Sequence, residues 1–202
     1  MEYSTDNLKN KKKEVNQKDA IIVFSSFTFI CVAIIFSLIV YDVFTIQNLL
    51  SFGNLQVLFI YTITASIGLL LFGIILSLYI PAKLIDDTNK SYQSYSLLRM
   101  FIFLLLGALF EELLFRGIMQ NLLFLFFDNQ WISIIITTFL FVAMHTQYFK
   151  KPIMLLNITI PGLIFGWIYF ETNNIVVPIV VHFIMNFGIT LLFKYDVIRM
   201  KR

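Results

Sequence analysis

The sequence predicts an all-α protein, a polytopic bundle of about six transmembrane helices. Hydrophobic residues make up 59% of the 202-residue chain and charged residues only 13%, whereas soluble domains average roughly 45–50% and 25%. Several apolar stretches reach or approach the ~20 residues that a helix needs to cross a bilayer. They are residues 20–41, 55–80, 95–127, 131–149, 153–170 and 175–193. These stretches leave no room for a separate soluble domain.

The first two stretches contain no motif of candidate catalytic residues. The first follows a basic segment, residues 1–19, but it exceeds the ~7–15 apolar residues of a secretory signal and lacks a small-residue cleavage site. We therefore interpret it as a retained anchor, and assign residues 20–94 to two spans and a loop. Cys31 is the only cysteine, which excludes a disulfide within the chain.

The third stretch is longer than one crossing, and we expect it to be broken near Gly117. It contains Glu111, Glu112 and Arg116. A charge at the centre of a span costs about 2.5–3.5 kcal/mol, so such residues are candidates for function. Glu112 precedes Arg116 by four residues, the favourable order for an ion pair on one helix face, and we assign it to holding Arg116. Glu111 is rotated by about 100° and is free to face another partner.

The fourth and sixth stretches contain the only two histidines of the chain, His145 and His182, and both lie inside apolar spans. His182 and Asn186 are four residues apart and share a helix face. A carboxylate in a poorly solvated cavity is a stronger base than one in water, so Glu111 is a candidate general base. His145 is suited to orienting water or protonating a leaving amine, and His182 and Asn186 to binding an oxyanion. This set predicts acyl transfer to water.

The fifth stretch contains Pro161 beside Gly162, and the sixth contains Pro178. Proline inside a helix removes a backbone hydrogen bond and commonly bends the helix. We expect these bends to open a cavity beside the polar residues.

The basic residues indicate the orientation. If the amino terminus is cytoplasmic, six spans place all but one of the 15 Lys and Arg residues in cytoplasmic segments, as the positive-inside rule requires. The exception is Arg116. Asp42, Asp128 and Glu171 fall in the outer segments. Both termini, including the basic tail 194–202, are therefore expected on the cytoplasmic side, most simply of a bacterial cell membrane. Nucleic-acid binding is not indicated, because the basic residues are dispersed over the membrane edges.

Three motifs in successive apolar stretches resemble the CPBP family of intramembrane proteases. The motifs are Glu-Glu-x-x-x-Arg at 111–116, Phe-x-x-x-His at 141–145 and His-x-x-x-Asn at 182–186. This family includes the type II CAAX prenyl endopeptidases and the Abi bacteriocin-immunity proteins. The resemblance covers about residues 95–193, which we assign to a protease core. It implies that Glu111 and His145 activate water and that His182 and Asn186 bind the oxyanion. Supporting positions are Glu112, Arg116 and Phe141.

A metal site and two other functions remain open at this point. Glu111, His145 and His182 would supply the ligands if zinc were present, but no His-Glu-x-x-His occurs, and we favour a metal-free mechanism. The predicted function is cleavage of a membrane-associated peptide or protein, in peptide processing or bacteriocin self-immunity. The alternatives are a non-catalytic membrane protein for binding or immunity, and a proton-coupled transporter.

Overall fold

A computed structural model describes residues 17–79 and 95–198, and this part of the chain is a bundle of α-helices without named strands. The helices are α1 Gln17–Val40, α2 Ile46–Leu49, α3 Leu55–Tyr79, α4 Leu97–Glu112, α5 Asn121–Phe127, α6 Gln130–Met144, α7 Pro152–Thr172 and α8 Val176–Lys194. A π-helical segment, Leu113–Gln120, joins α4 to α5, and a 3₁₀ turn, Thr146–Tyr148, follows α6. The predicted fold class is confirmed. Helices are the expected solution, because lipid offers no partners for backbone polar groups.

Four helices, α1, α3, α7 and α8, are long and apolar enough to cross a membrane, whereas α6 is shorter at 15 residues. The third predicted stretch is helical from Leu97 to Phe127. The expected break near Gly117 is wrong, because the backbone there changes to wider π-helical turns and does not leave the helix. The total of six crossings stays a prediction. The basic segment before residue 17, the loop 80–94 and residues 199–202 lie outside the described part.

Helix α8 occupies the centre of the carboxy-terminal half and packs against α3, α4 and α7. Small residues allow the approach of α3 and α8. A methyl group added at Gly73 would lie 2.9 Å from the Ile189 side chain, and one added at Gly188 would lie 2.8 Å from Leu70. These two helices therefore contact each other at a distance that larger residues would prevent.

Segments that the charge pattern assigns to opposite sides of the membrane lie at opposite ends of the bundle. At one end, the loop after α1 meets the turn between α7 and α8, where Ile175 donates a backbone hydrogen bond to Leu49 and the Asn174 side chain donates to the Ser51 carbonyl. At the other end, Lys194 Nζ donates to the Tyr95 carbonyl over 2.8 Å. We call this the basic end; its cytoplasmic location stays a prediction.

Candidate active site

Three buried side chains from three elements form the centre of the candidate site. Glu112, at the end of α4, is fully buried, as is Arg116 in the π-helical segment. Glu112 Oε2 lies 3.2 Å from Arg116 Nε, and Glu112 Oε1 lies 2.8 Å from His182 Nδ1 on α8. The predicted pairing of Glu112 with Arg116 is confirmed. The contact between Glu112 and His182 was not predicted, because it depends on how α4 and α8 pack.

Arg116 is compensated on every side. Besides Glu112, its guanidinium donates to the Gly162 carbonyl on α7 over 2.8 Å. Its Cζ atom lies 5.3 Å from the centre of the Phe141 ring and 5.4 Å from that of Phe165. Cations over aromatic faces are attracted by the ring quadrupole. Arg116 thereby connects the π-helical segment to α6 and α7.

His182 is oriented by this carboxylate. A carboxylate oxygen accepts hydrogen bonds, so we assign a ring proton of His182 to Nδ1. The ring stacks on Phe165 at 4.8 Å and an interplanar angle of 21°. The unprotonated Nε2 then faces Glu111, whose Oε2 lies 3.8 Å away. This distance is too long for a direct hydrogen bond, but it suits two acceptors that share one water molecule.

Glu111 differs from its neighbour in exposure. Its side chain is 23% exposed, whereas that of Glu112 is fully buried. The sequence-based view of Glu111 as the acid free for another partner agrees with this arrangement. The partner that the structure brings to it is His182.

His145 lies apart from this pair. It was expected inside the fourth span, but α6 ends at Met144 and His145 adopts a non-helical backbone conformation directly after it. Its Nδ1 lies 2.8 Å from the Phe141 carbonyl, and its ring packs on the side chains of Phe141 and Tyr148. Within the described residues it has no hydrogen bond or ion pair with Glu111 or His182. Phe141, which also contacts Arg116, is the connection between His145 and the buried cluster.

Asn186 lines a small cavity one helical turn beyond His182. The cavity has a volume of about 60 Å³, and its polar lining includes Asn157 of α7 and Ser77 of α3. Its lining does not include His182 or the glutamates. Asn157 and Ser77 were not among the predicted site residues. An asparagine in the middle of an apolar stretch was the available signal for Asn157.

A second buried contact fixes the π-helical segment. Gln120 is fully buried and donates from Nε2 to the Gly166 carbonyl over 2.9 Å. Arg116 donates to the Gly162 carbonyl in the same way. The two donors are four residues apart in the π-helical segment, and the two glycines are four residues apart in α7. A methyl group added at Gly166 would lie 2.8 Å from Gln120 Oε1. The two glycines of α7 therefore let the π-helical segment approach closely enough for both hydrogen bonds.

The three side chains that the motifs offer as zinc ligands do not come together in the structure. Glu111 and His182 face each other, but His145 hydrogen-bonds its own helix and does not join them. In the ranges that the structure covers, no three His, Cys, Asp or Glu side chains are grouped to hold a metal ion. The arrangement does not fit the three-ligand zinc set derived from the motifs. The question of metal dependence itself stays untested.

The fold and this cluster define an α-helical membrane protein with a buried acid, imidazole and guanidinium site in its carboxy-terminal half. Residues 93–188 match the family described as type II CAAX prenyl endopeptidase Rce1-like. The matched segment contains all three motifs. The resemblance to this protease family is therefore confirmed.

Two curated bacterial proteins are similar to the chain. The uncharacterized protein YpbD of Bacillus subtilis (strain 168) is 25% identical over 148 residues, which are 72% of this chain and 73% of that protein. An uncharacterized 24.3 kDa protein of Escherichia coli is 34% identical over 122 residues, 57% of this chain and 54% of the relative. No solved structure was found to match the chain.

Proposed function

We propose that the protein is an intramembrane endopeptidase that hydrolyses a peptide bond with a water molecule activated by Glu111. The observation that carries the proposal is the pairing of Glu111 Oε2 with His182 Nε2 across 3.8 Å, while Glu112 holds the opposite ring nitrogen. In this arrangement both groups accept hydrogen bonds from one water molecule. The match of residues 93–188 to a protease family supports the same chemistry.

The reaction proceeds in two proton transfers. The water oxygen attacks the substrate carbonyl carbon as Glu111 removes one of its protons, which produces a tetrahedral oxyanion. Glu111 then delivers this proton to the amide nitrogen, the carbon–nitrogen bond breaks, and a carboxyl group and an amine leave. His182 keeps the water oriented, since Glu112 fixes its tautomer as a carboxylate fixes the imidazole of a hydrolytic triad.

His145 and Asn186 have roles outside this pair. Asn186, one turn from His182, supplies an amide N–H for the developing oxyanion. His145 is connected through Phe141 to Arg116, and we propose that it helps to position the buried cluster. Because its described contacts are with Phe141 and Tyr148, its contribution is smaller than that of Glu111.

The substrate is a membrane-associated peptide or protein, consistent with a site enclosed by apolar helices. Prenylated peptides are one class to test, because the matching family is named for CAAX prenyl endopeptidases. The biological setting that we propose is processing of a secreted peptide, or self-immunity to one. Bacterial cell membrane location with both termini cytoplasmic is part of this proposal.

The mechanism is proposed as metal-free, because the donor set lacks a third ligand beside Glu111 and His182. Purified protein is therefore expected to cleave at the same rate before and after treatment with 1,10-phenanthroline. Loss of activity that zinc restores would contradict this part of the proposal and leave the protease assignment intact.

Peptide cleavage itself is tested in membranes. Membranes from cells that express the wild type or Glu111→Gln are incubated, and new peptide amino termini are labelled and identified by mass spectrometry. The substitution keeps the size of the side chain but removes the base. We expect termini that form only with the wild type. Equal sets of termini at matched expression would overturn the proposal and favour a non-catalytic binding function.

A further inference from the structure

The cavity beside Asn186 is the basis for a second proposed binding role. We propose that Asn157, together with Asn186, forms a subsite that binds a backbone amide group of the peptide substrate. This inference rests on the proposed function, because it concerns the segment that flanks the cleaved bond. Asn157 is a positioning residue in this assignment, since it holds the peptide and takes no part in proton transfer.

The geometry of the cavity supports an amide-binding site. Asn157 approaches it from α7 and Asn186 from α8, and both side chains are partly accessible. Within the described part of the chain, neither side-chain amide has a hydrogen-bond partner. The hydroxyl of Ser77, on the opposite wall, donates to the Gly73 carbonyl of its own helix, which leaves its oxygen available as an acceptor. Unpaired amides in a largely apolar bundle are costly unless a ligand or water satisfies them.

The chemistry of the lining selects a neutral ligand. Among the described residues, no charged side chain lines this cavity, and the nonpolar part of the wall includes Met154, Met185 and Ile189. A free carboxylate or ammonium group would lose its hydration there without gaining a counter-ion. An amide both donates and accepts hydrogen bonds, so Asn157 Oδ1 can accept from the N–H of one peptide group while one Asn186 N–H donates to its C=O. The second N–H of Asn186 is left for the oxyanion.

Pro161 removes the regular helical donor to the backbone carbonyl of Asn157. In a regular helix, the carbonyl of residue 157 accepts a hydrogen bond from the N–H of residue 161. Proline has no N–H, so the Asn157 carbonyl lacks that donor. Asn157 therefore has a backbone acceptor and a side-chain amide that are both left open by the helix that carries them.

The position of the cavity fits a subsite next to the proposed water. Asn186 follows His182 by four residues, which corresponds to about 6 Å along α8 toward the basic end. That is close to the ~6.6 Å that two residues of an extended peptide span at ~3.3 Å per residue. The volume of about 60 Å³ exceeds the ~10–15 Å³ that one water needs, and admits a peptide group more readily than a bulky side chain.

The experiment measures peptide binding without cleavage. The protein carries Glu111→Gln, is labelled with ¹⁵N in its asparagines and is titrated in detergent micelles with N-acetyl-trileucine amide. The ester analogue, in which oxygen replaces one backbone N–H, is titrated in parallel. The variants are Asn157→Leu and, as a matched control on the same helix, Thr159→Val. The hydroxyl of Thr159 donates to its own helix at Leu155 and does not line the cavity.

We expect the side-chain amide signals of Asn157 and Asn186 to shift on titration with the peptide. Asn157→Leu should raise the dissociation constant about tenfold, the effect of one lost hydrogen bond, whereas Thr159→Val should leave it unchanged. Replacing the peptide by its ester should raise the dissociation constant less in Asn157→Leu than in the parent protein, because the leucine variant has already lost the group that binds the peptide N–H. A role in folding alone would not produce this coupling. If Asn157→Leu does not fold, Asn157→Ala is measured in its place.

Unshifted asparagine signals, or equal affinities for parent and Asn157→Leu, would overturn the subsite. Because this assay contains no base, its result is independent of catalysis. Binding without any cleavage in the membrane experiment would remove the proposed function and keep the subsite. Cleavage without binding at Asn157 would remove the subsite and keep the proposed function.

Discussion

The two halves of this protein have similar composition but different interiors. Helices α1 and α3 have mean hydropathies of 2.6 and 2.3, and α7 and α8 have 1.8 and 2.2. Yet only 6% and 11% of the residues in the apolar windows of α1 and α3 are buried in the protein, against 39% and 44% for α7 and α8. Hydropathy alone therefore does not tell which helices contact lipid and which build the protein interior.

Polar side chains show the same difference. In α1 and α3, Ser26, Ser37, Thr62 and Thr64 donate to carbonyls of their own helices, four residues earlier. From α3, Tyr61 also donates across to Glu171 at the exposed surface. In the carboxy-terminal half, several buried polar side chains reach across helices. Those pairs are Arg116 with Gly162, Gln120 with Gly166, Asn121 with Tyr169, and His182 with Glu112. Cross-helix pairs define one arrangement of the bundle, and such an arrangement is required for a catalytic site.

Loss of one member of the buried ion pair should give the largest loss of stability. Glu112→Leu leaves Arg116 buried without its carboxylate, and we expect the free energy of unfolding to fall by about 3–5 kcal/mol. Adding Arg116→Met to that variant should recover part of the loss, because two apolar side chains then replace the charges. Thermal unfolding in detergent measures both. A double variant less stable than Glu112→Leu would contradict the role given to the pair.

Close approach of α7 to the π-helical segment is tested by two alanine substitutions. Gly166→Ala places a methyl group 2.8 Å from Gln120 Oε1 and 3.1 Å from Ile134, and should cost about 1–3 kcal/mol. Gly107→Ala is the matched control, since nothing lies within 4 Å of the added methyl. It should stabilise α4 by up to about 1 kcal/mol, because alanine favours helix over glycine. Equal effects at both positions would refute the close contact.

The smallest effect is expected in the amino-terminal half. Ser37→Ala removes a hydroxyl that bonds only its own helix, and should change the free energy of unfolding by less than about 0.5 kcal/mol. Gln120→Leu, which removes a cross-helix hydrogen bond, should cost about 1 kcal/mol or more. The same unfolding measurement compares them. A larger loss for Ser37→Ala than for Gln120→Leu would remove the distinction between the halves.

Local patterns in the sequence predicted the parts of the site that depend on one helix. The four-residue spacing of Glu112 and Arg116 gave their ion pair, and apolar stretches gave the helical membrane class. Contacts between helices were not predictable in the same way. The sequence does not show that Glu112 is the acid that hydrogen-bonds His182, since this depends on the packing of α4 and α8.

Backbone geometry accounts for the other differences. The sequence gives no sign that residues 113–120 form π-helical turns, or that α6 ends one residue before His145. The π-helical segment contacts α7 through Arg116 and Gln120, and His145 is followed by a 3₁₀ turn. The expectation for His145 assumed that the helix continues through this residue, with the side chain beside Glu111.

The central claim is that Glu111 acts as the base while Glu112 holds the site together. The most direct test is the cleavage rate per folded molecule of purified wild type and Glu111→Gln, on a peptide taken from the membrane experiment, with thermal unfolding measured on the same samples. We predict that the rate falls by about 10²–10⁴-fold, the usual contribution of a general base. The unfolding temperature should stay the same, because Glu111 is partly exposed and its Oε2 lies 3.8 Å from His182 Nε2, too far for a direct hydrogen bond. A variant that is folded and cleaves at the wild-type rate would contradict the claim.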